Sequence, residues 1–281
     1  MKEIYQYSHH QDLPLMASFY PAENRKEGLT LIYFHGGGLI YGNRDDLPTA
    51  YIELLNNHGY HLLTVDYPLI PEVTIAEITA CLSAAIDWFK LEHNQLLGLG
   101  SANFCLFGRS AGAYLSLLLA HQHNNSQLKG IVSFYGYDRL DYPAFNQASS
   151  YYKKYPAVPF MTVYQLTQGA PKSQASINER FPIYLSYRQT GQWVKQLLGK
   201  NPQPDFSLTS KSLQELPPTF LAASRDDQDV PFDISLKMAQ QIPENYLYQV
   251  KELPHDFDAD SRNPAAQEAY RQLINWLNRL K

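Results

Sequence analysis

Two glycine-framed motifs, each directly after a short apolar run, constrain this chain more than any other feature. Leu31-Ile32-Tyr33-Phe34 leads into His35-Gly36-Gly37-Gly38, and Phe104-Cys105-Leu106-Phe107 leads into Gly108-Arg109-Ser110-Ala111-Gly112. A short apolar run that stops at a glycine turn reads as a buried strand. The second motif has the form G-x-S-x-G, a sharp strand-to-helix turn that lifts a serine hydroxyl clear of a sheet. Side chains two residues either side of the serine would collide across that turn, which assigns Gly108 and Gly112 a structural role. The first motif reads as a loop whose glycines let the backbone approach a carbonyl and aim N–H groups at it. G-x-S-x-G alone occurs often by chance. Joined to the rarer H-G-G-G string, in this order and at strand ends, it implies acyl transfer through a serine nucleophile.

The chain has 281 residues, enough for one large α/β core with an insertion. Its net charge is −4, and no Lys/Arg stripe suggests nucleic acid or an anionic lipid surface as a partner. The longest apolar runs, such as residues 115–120, are too short to span a bilayer. The start, Met1-Lys2-Glu3-Ile4-Tyr5, has no apolar segment of a secretory signal, so a cytoplasmic location is expected. Cys81 and Cys105 stand alone in apolar surroundings and read as buried, reduced thiols. Metal and redox spacings are absent, so no metal is expected. The oligomeric state stays open, a homodimer included.

Apolar runs alternate with helical patterns, which predicts a mostly parallel sheet flanked by helices. Candidate strands are 15–20, 29–34, 61–66, 104–107, 130–135, 219–223 and 247–250. Ile75, Ile78, Leu82, Ile86 and Phe89 recur at helical spacing and predict a helix over 74–93. The nearly all-apolar 113–121 reads as a buried helix after the serine turn. Asn263-Pro264 reads as an N-cap with proline at the first helical position, opening a helix to about residue 280. Residues 138–216 break the alternation: they lack a clear strand and are rich in Tyr, Gln, Ser and Pro, with 189–198 as a patch for short helices. A structureless loop of that length is improbable in a compact domain, so this segment is expected to be an inserted cap on a core of 1–137 and 217–281.

A serine is a poor nucleophile without a base, and the base needs an orienting acid. Among the histidines beyond Ser110, His121 and His123 lie down the helix that starts there, some 15 Å away at about 1.5 Å per residue. His255, in Leu253-Pro254-His255-Asp256-Phe257-Asp258, follows the last predicted strand and is the candidate base. Asp226, Asp227 and Asp229 all qualify by position as the acid, since all follow the strand at 219–223.

With these residues and the string Val65-Asp66-Tyr67-Pro68-Leu69-Ile70-Pro71-Glu72, the chain resembles the α/β-hydrolase superfamily, in its hormone-sensitive-lipase-like carboxylesterase branch. The resemblance covers about residues 29–137 and 217–280. It implies a sheet of about eight strands, cofactor-free ester hydrolysis and a cap that shapes acyl specificity. It also implies the chain order Ser, acid, His, which sets His35 aside as the base. The D-x-x-V-P pattern of many hydrolases matches Asp227-Gln228-Asp229-Val230-Pro231 and selects Asp227; Asp226 and Asp229 are then solvated loop carboxylates or helix caps. By the same match the oxyanion donors are the backbone N–H groups of Gly37, Gly38 and Ala111, while His35 and Gly36 hold their loop. Three departures stand out: Arg109 where relatives often carry Asp or Glu, Tyr67-Pro68-Leu69-Ile70-Pro71-Glu72 for Y-R-L-A-P-E, and Asp256 for a glycine after the histidine. The expected activity is hydrolysis of small short- to medium-chain esters through an acyl-enzyme on Ser110. An amidase, formamidase or small peptidase-like hydrolase with the same triad, and a non-catalytic ligand-binding protein of the same fold, are the alternatives.

Overall fold

The computed structural model describes residues 2–24 and 28–280; Met1, 25–27 and Lys281, which fall within the expected core, lie outside the described residues. Eight strands form one sheet in the order β1-β2-β4-β3-β5-β6-β7-β8. They are β1 (Glu3–His10), β2 (Leu13–Tyr20), β3 (Thr30–Phe34), β4 (His61–Val65), β5 (Phe104–Arg109), β6 (Leu128–Phe134), β7 (Thr219–Ser224) and β8 (Asn245–Val250). From β4 to β8 every pairing is parallel, while β1 and β2 add an antiparallel edge. All seven sequence-derived strands are present within one to three residues. The strand missing from the sequence reading is β1. Its run Glu-Ile-Tyr-Gln-Tyr-Ser-His-His is polar because it is an edge strand, half exposed, with a pairing irregularity between Gln6 and Ser8.

The central strands are mostly apolar and almost fully buried because helices cover both faces. Along β3, Ile32 and Phe34 enter one core, and Leu31 and Tyr33 enter the other. The helices are α1 (Thr49–Asn57), α2 (Ile75–Glu92), α3 (Ala111–Gln122), α4 (Pro143–Asn146), α5 (Phe160–Leu166), α6 (Ile177–Thr190), α7 (Trp193–Leu198), α8 (Ser210–Gln214), α9 (Phe232–Gln241) and α10 (Pro264–Leu277). Helices α2, α3 and α9 pack into the first core and α1 and α10 into the second. A capping box, Thr74 with Glu77, starts α2. Asn263 caps α10, its side-chain oxygen accepting from Ala265 N–H at 2.9 Å. Both cysteines are free and buried.

Between β6 and β7 the chain forms α4 to α8 and two short 3₁₀ turns, Tyr152–Lys154 and Gln203–Phe206. The 189–198 patch straddles a break: α6 ends at Gly191, which is left-handed (φ 69°), and α7 begins at Trp193. Among the described residues no helix is long and apolar enough to cross a membrane.

Candidate active site

The functional side chains sit on loops at the carboxyl ends of parallel strands, where α/β sheets place their ligands. Ser110 occupies the junction of β5 and α3 with φ 53° and ψ −122°, a backbone state that only enforced surroundings maintain. Its N–H donates to Phe134 O at 2.8 Å. The flanking glycines are dictated by close approach. A Cβ on Gly108 would lie 2.1 Å from Gly112 O, and one on Gly112 would lie 2.0 Å from Phe34 O.

His255, on the loop after β8, lies between the serine and an aspartate. Its Nε2 is 2.8 Å from Ser110 Oγ, and its Nδ1 is 2.6 Å from Asp227 Oδ2. Asp227 is buried, and its other oxygen accepts the N–H groups of Asp229 and Val230, each at 2.8 Å. Two backbone donors from its own loop thus aim the carboxylate. Burial alone would lower the imidazole pKa. The Asp227 carboxylate and its hydrogen bond, with help from Asp229 and Asp256, outweigh burial and raise it to about 9.

The other two aspartates behave differently. Asp226 is exposed and accepts from Glu252 N–H at 2.7 Å. Asp229 corrects the sequence reading: it is neither a solvated carboxylate nor a cap. It pairs with Arg188 of α6 at 2.8 Å and accepts from Tyr184 Oη at 2.7 Å. Burial pushes its carboxyl up, but Arg188, His255 and the Tyr184 and Tyr152 hydroxyls hold it below the ordinary value.

Gly37 and Gly38 have φ of 92° and 61° and, with Gly36, line the same cleft as Ser110. Among the described residues no acceptor takes the N–H of Gly37 or Gly38. Ala111 opens α3, so its N–H has no intrahelical acceptor. His35 is fully buried. Its ring stacks on Tyr67 at 4.1 Å, its Nδ1 meets Gly36 O at 2.8 Å, and Tyr67 Oη donates to His35 O at 2.8 Å. This contact uses the tyrosine of the Tyr67-to-Glu72 string. The glutamate of that string pairs with buried Arg180 of α6 at 2.7 Å.

The cleft has a volume of about 430 Å³. Segment 138–216 contributes Tyr151, Tyr152, Tyr155, Ile177, Phe181 and Tyr184 to its walls. That segment also touches the glycine loop directly: Trp193 Nε1 donates to Gly38 O at 3.0 Å, and Gly42 and Ala175 exchange backbone hydrogen bonds. Sequence reasoning missed Arg180, Arg188 and Trp193. The signal was there, because residues 180, 184 and 188 fall four apart, on one helical face.

Residues 31–258 match the family described as alpha/beta hydrolase fold, and the chain belongs to that family. It is 25% identical over 262 residues to a probable carboxylesterase M8 of Phoma sp., covering 82% of this chain and 80% of that one. A Staphylococcus aureus Mu50 protein of unknown function shares 30% identity, 99% of each chain and a TM-score of 0.88. An α/β hydrolase superfamily protein of Enterococcus faecalis shares 28% identity over 99% of this chain and 98% of that one, with a TM-score of 0.83. These similarities put the chain among the carboxylesterase-like α/β hydrolases.

Proposed function

We propose that this protein is a serine carboxylesterase that hydrolyses short- to medium-chain acyl esters through an acyl-enzyme on Ser110. The observation that carries this reading is the unbroken contact from Asp227 to His255 to Ser110, at 2.6 and 2.8 Å. Neutral His255 takes the Ser110 proton at Nε2 as Oγ attacks the ester carbonyl carbon. Asp227 holds the Nδ1–H tautomer and stabilises the imidazolium. The N–H groups of Gly37, Gly38 and Ala111 stabilise the tetrahedral oxyanion, each such donor contributing about 2.7–4 kcal/mol in comparable sites. The imidazolium then protonates the leaving alkoxide. Water, deprotonated by the same imidazole, attacks the acyl-enzyme and releases the acid.

In this reading 138–216 is a cap, and its aromatic side chains bound the space for the acyl and alcohol groups. A cleft of about 430 Å³ suits a small ester. Ser110→Ala should abolish turnover of p-nitrophenyl acetate and butyrate and block labelling by a fluorophosphonate. Activity retained in that variant would sink the assignment. Matched esters and amides compared by kcat/KM separate esterase from amidase: the esterase reading expects the ester to win.

A further inference from the structure

Arg109 directly precedes Ser110 at the end of β5, and its side chain is bonded to groups from several loops. The side chain borders the cleft beside Ser110 and is largely covered. Nε donates to Tyr33 Oη at 2.9 Å, and Nη2 donates to Asp46 Oδ2 at 3.0 Å. Nη1 reaches Asp258 Oδ2 at 3.4 Å. Asp46 lies on the loop that continues from the glycine motif. Asp258 lies on the loop of His255 and is fully buried. Its Oδ1 accepts from Tyr135 Oη at 2.6 Å, and its Oδ2 from Tyr270 Oη at 2.9 Å. Tyr135 has a φ of 42°, and its ring meets the His255 ring at 4.7 Å, edge to face.

One guanidinium therefore joins three loops: the serine turn that carries it, the glycine loop through Asp46, and the histidine loop through Asp258. A buried ion cluster is weak evidence for stability, because desolvating its charges offsets their attraction. A single cation bonded to one carboxylate from each neighbouring loop does fix geometry. Arginine suits the task better than lysine, because its planar fork reaches several acceptors at set angles.

We propose that Arg109 is a positioning residue that sets Ser110, the oxyanion glycines and His255 relative to one another through Asp46 and Asp258. The proposal rests on the serine-esterase reading of Ser110. Its test compares the unchanged enzyme with Arg109→Met, Arg109→Lys, Asp258→Asn and the double variant Arg109→Met/Asp258→Asn. Folded sites are counted by end-point fluorophosphonate labelling, and p-nitrophenyl butyrate turnover is expressed per labelled serine. Arg109→Met and Asp258→Asn should each lower kcat about ten- to a hundredfold, the scale of a lost hydrogen bond to a charged group, with KM moving less than about threefold. The double variant should fall no further than the worse single one, since both remove one coupling. Arg109→Lys should recover only part of the loss. If kcat per labelled serine stays within about twofold of the parent while only Tm drops, Arg109 merely fills space and the proposal fails. Should Arg109→Met not fold, the isosteric Asp258→Asn and Asp46→Asn decide on the same criteria. A parent enzyme that takes no label overturns the serine reading and this proposal with it; a labelled parent with indifferent variants overturns this proposal alone.

Discussion

The loops at the strand ends and the helical segment 138–216 line one cleft, but different forces hold them. On the strand side, β3, β5, β7 and β8 lie in register through continuous backbone ladders. Ser110, Asp227, His255 and the glycine loop each emerge one to five residues after a strand ends. Topology delivers them to one edge, and short local hydrogen bonds finish the geometry. Segment 138–216 has no strand among its described residues, and its helices are mostly short. Beside a few backbone bonds, such as Gly42 with Ala175 and Leu69 with Lys172, side chains hold it: Arg180 on Glu72, Arg188 on Asp229, and Trp193 on Gly38 O. Arg188 is surrounded by aromatic rings, with Phe145, Tyr152, Tyr184 and Trp193 each 5.4–5.6 Å from its guanidinium carbon. A ladder spreads its stabilisation over many bonds, whereas this arrangement concentrates it in a few buried charged pairs. Single substitutions should therefore damage function on the strand side and stability on the helical side.

The sharpest way to break that contrast is Asp227→Asn. It leaves the volume unchanged but presents an amide to His255 Nδ1 and disturbs the tautomer. By analogy with serine proteases kcat should fall about 10⁴-fold, with Tm changed by only a few degrees. A large drop in Tm instead would show that the strand side too depends on individual side chains. Next in size is Arg188→Met, which leaves the Asp229 carboxylate without its cation. Loss of one partner of a buried pair costs about 3–5 kcal/mol, measurable by urea unfolding. Hydrogen exchange should localise the loosening to α6 and α7 while β3, β5 and β7 stay protected. Uniform loosening would mean the two regions are not separately held.

The smallest expected effect is a shift in pH dependence. In the proposed mechanism His255 must be neutral to accept the serine proton, and its pKa is raised from 6.5 to about 9. Activity should thus climb as pH rises from neutral through about 9, rather than through the ordinary histidine range. Asp229 is one of the carboxylates that raise the value. Asp229→Asn should therefore move the midpoint of the kcat/KM profile to lower pH. An unmoved midpoint would separate the Arg188–Asp229 pair from the chemistry and leave it a purely structural link between the two regions.

Legibility in the sequence followed the range of the interactions. The serine turn, the glycine loop and the Asn263 cap are set by residues a few positions apart, and each was readable. The edge strand β1 was not, because half exposure removes the apolar signal that marks a buried strand. Helix α6 was hidden by Pro182 in its first turns and by buried arginines on a face that would normally read as solvated. Asp229 read as a solvated carboxylate or helix cap because its partner, Arg188, is remote in sequence.

The sequence by itself determined the strand-turn-helix frame, the serine and the glycine loop, because steric limits on tight turns act locally and admit few residue types. It also narrowed the base to His255 by chain order and helix length. The D-x-x-V-P resemblance pointed to Asp227, and the tertiary structure brings its carboxylate within 2.6 Å of that histidine. The N–H groups of Asp229 and Val230 hold the Asp227 carboxylate toward Nδ1, while the Asp229 side chain turns to Arg188. Only the tertiary structure decided what the two arginines do. Arg109 and Arg188 carry identical side chains, and one ties the strand-end loops together while the other anchors the helical segment. Their roles are set by the carboxylates that folding brings to them from distant parts of the chain.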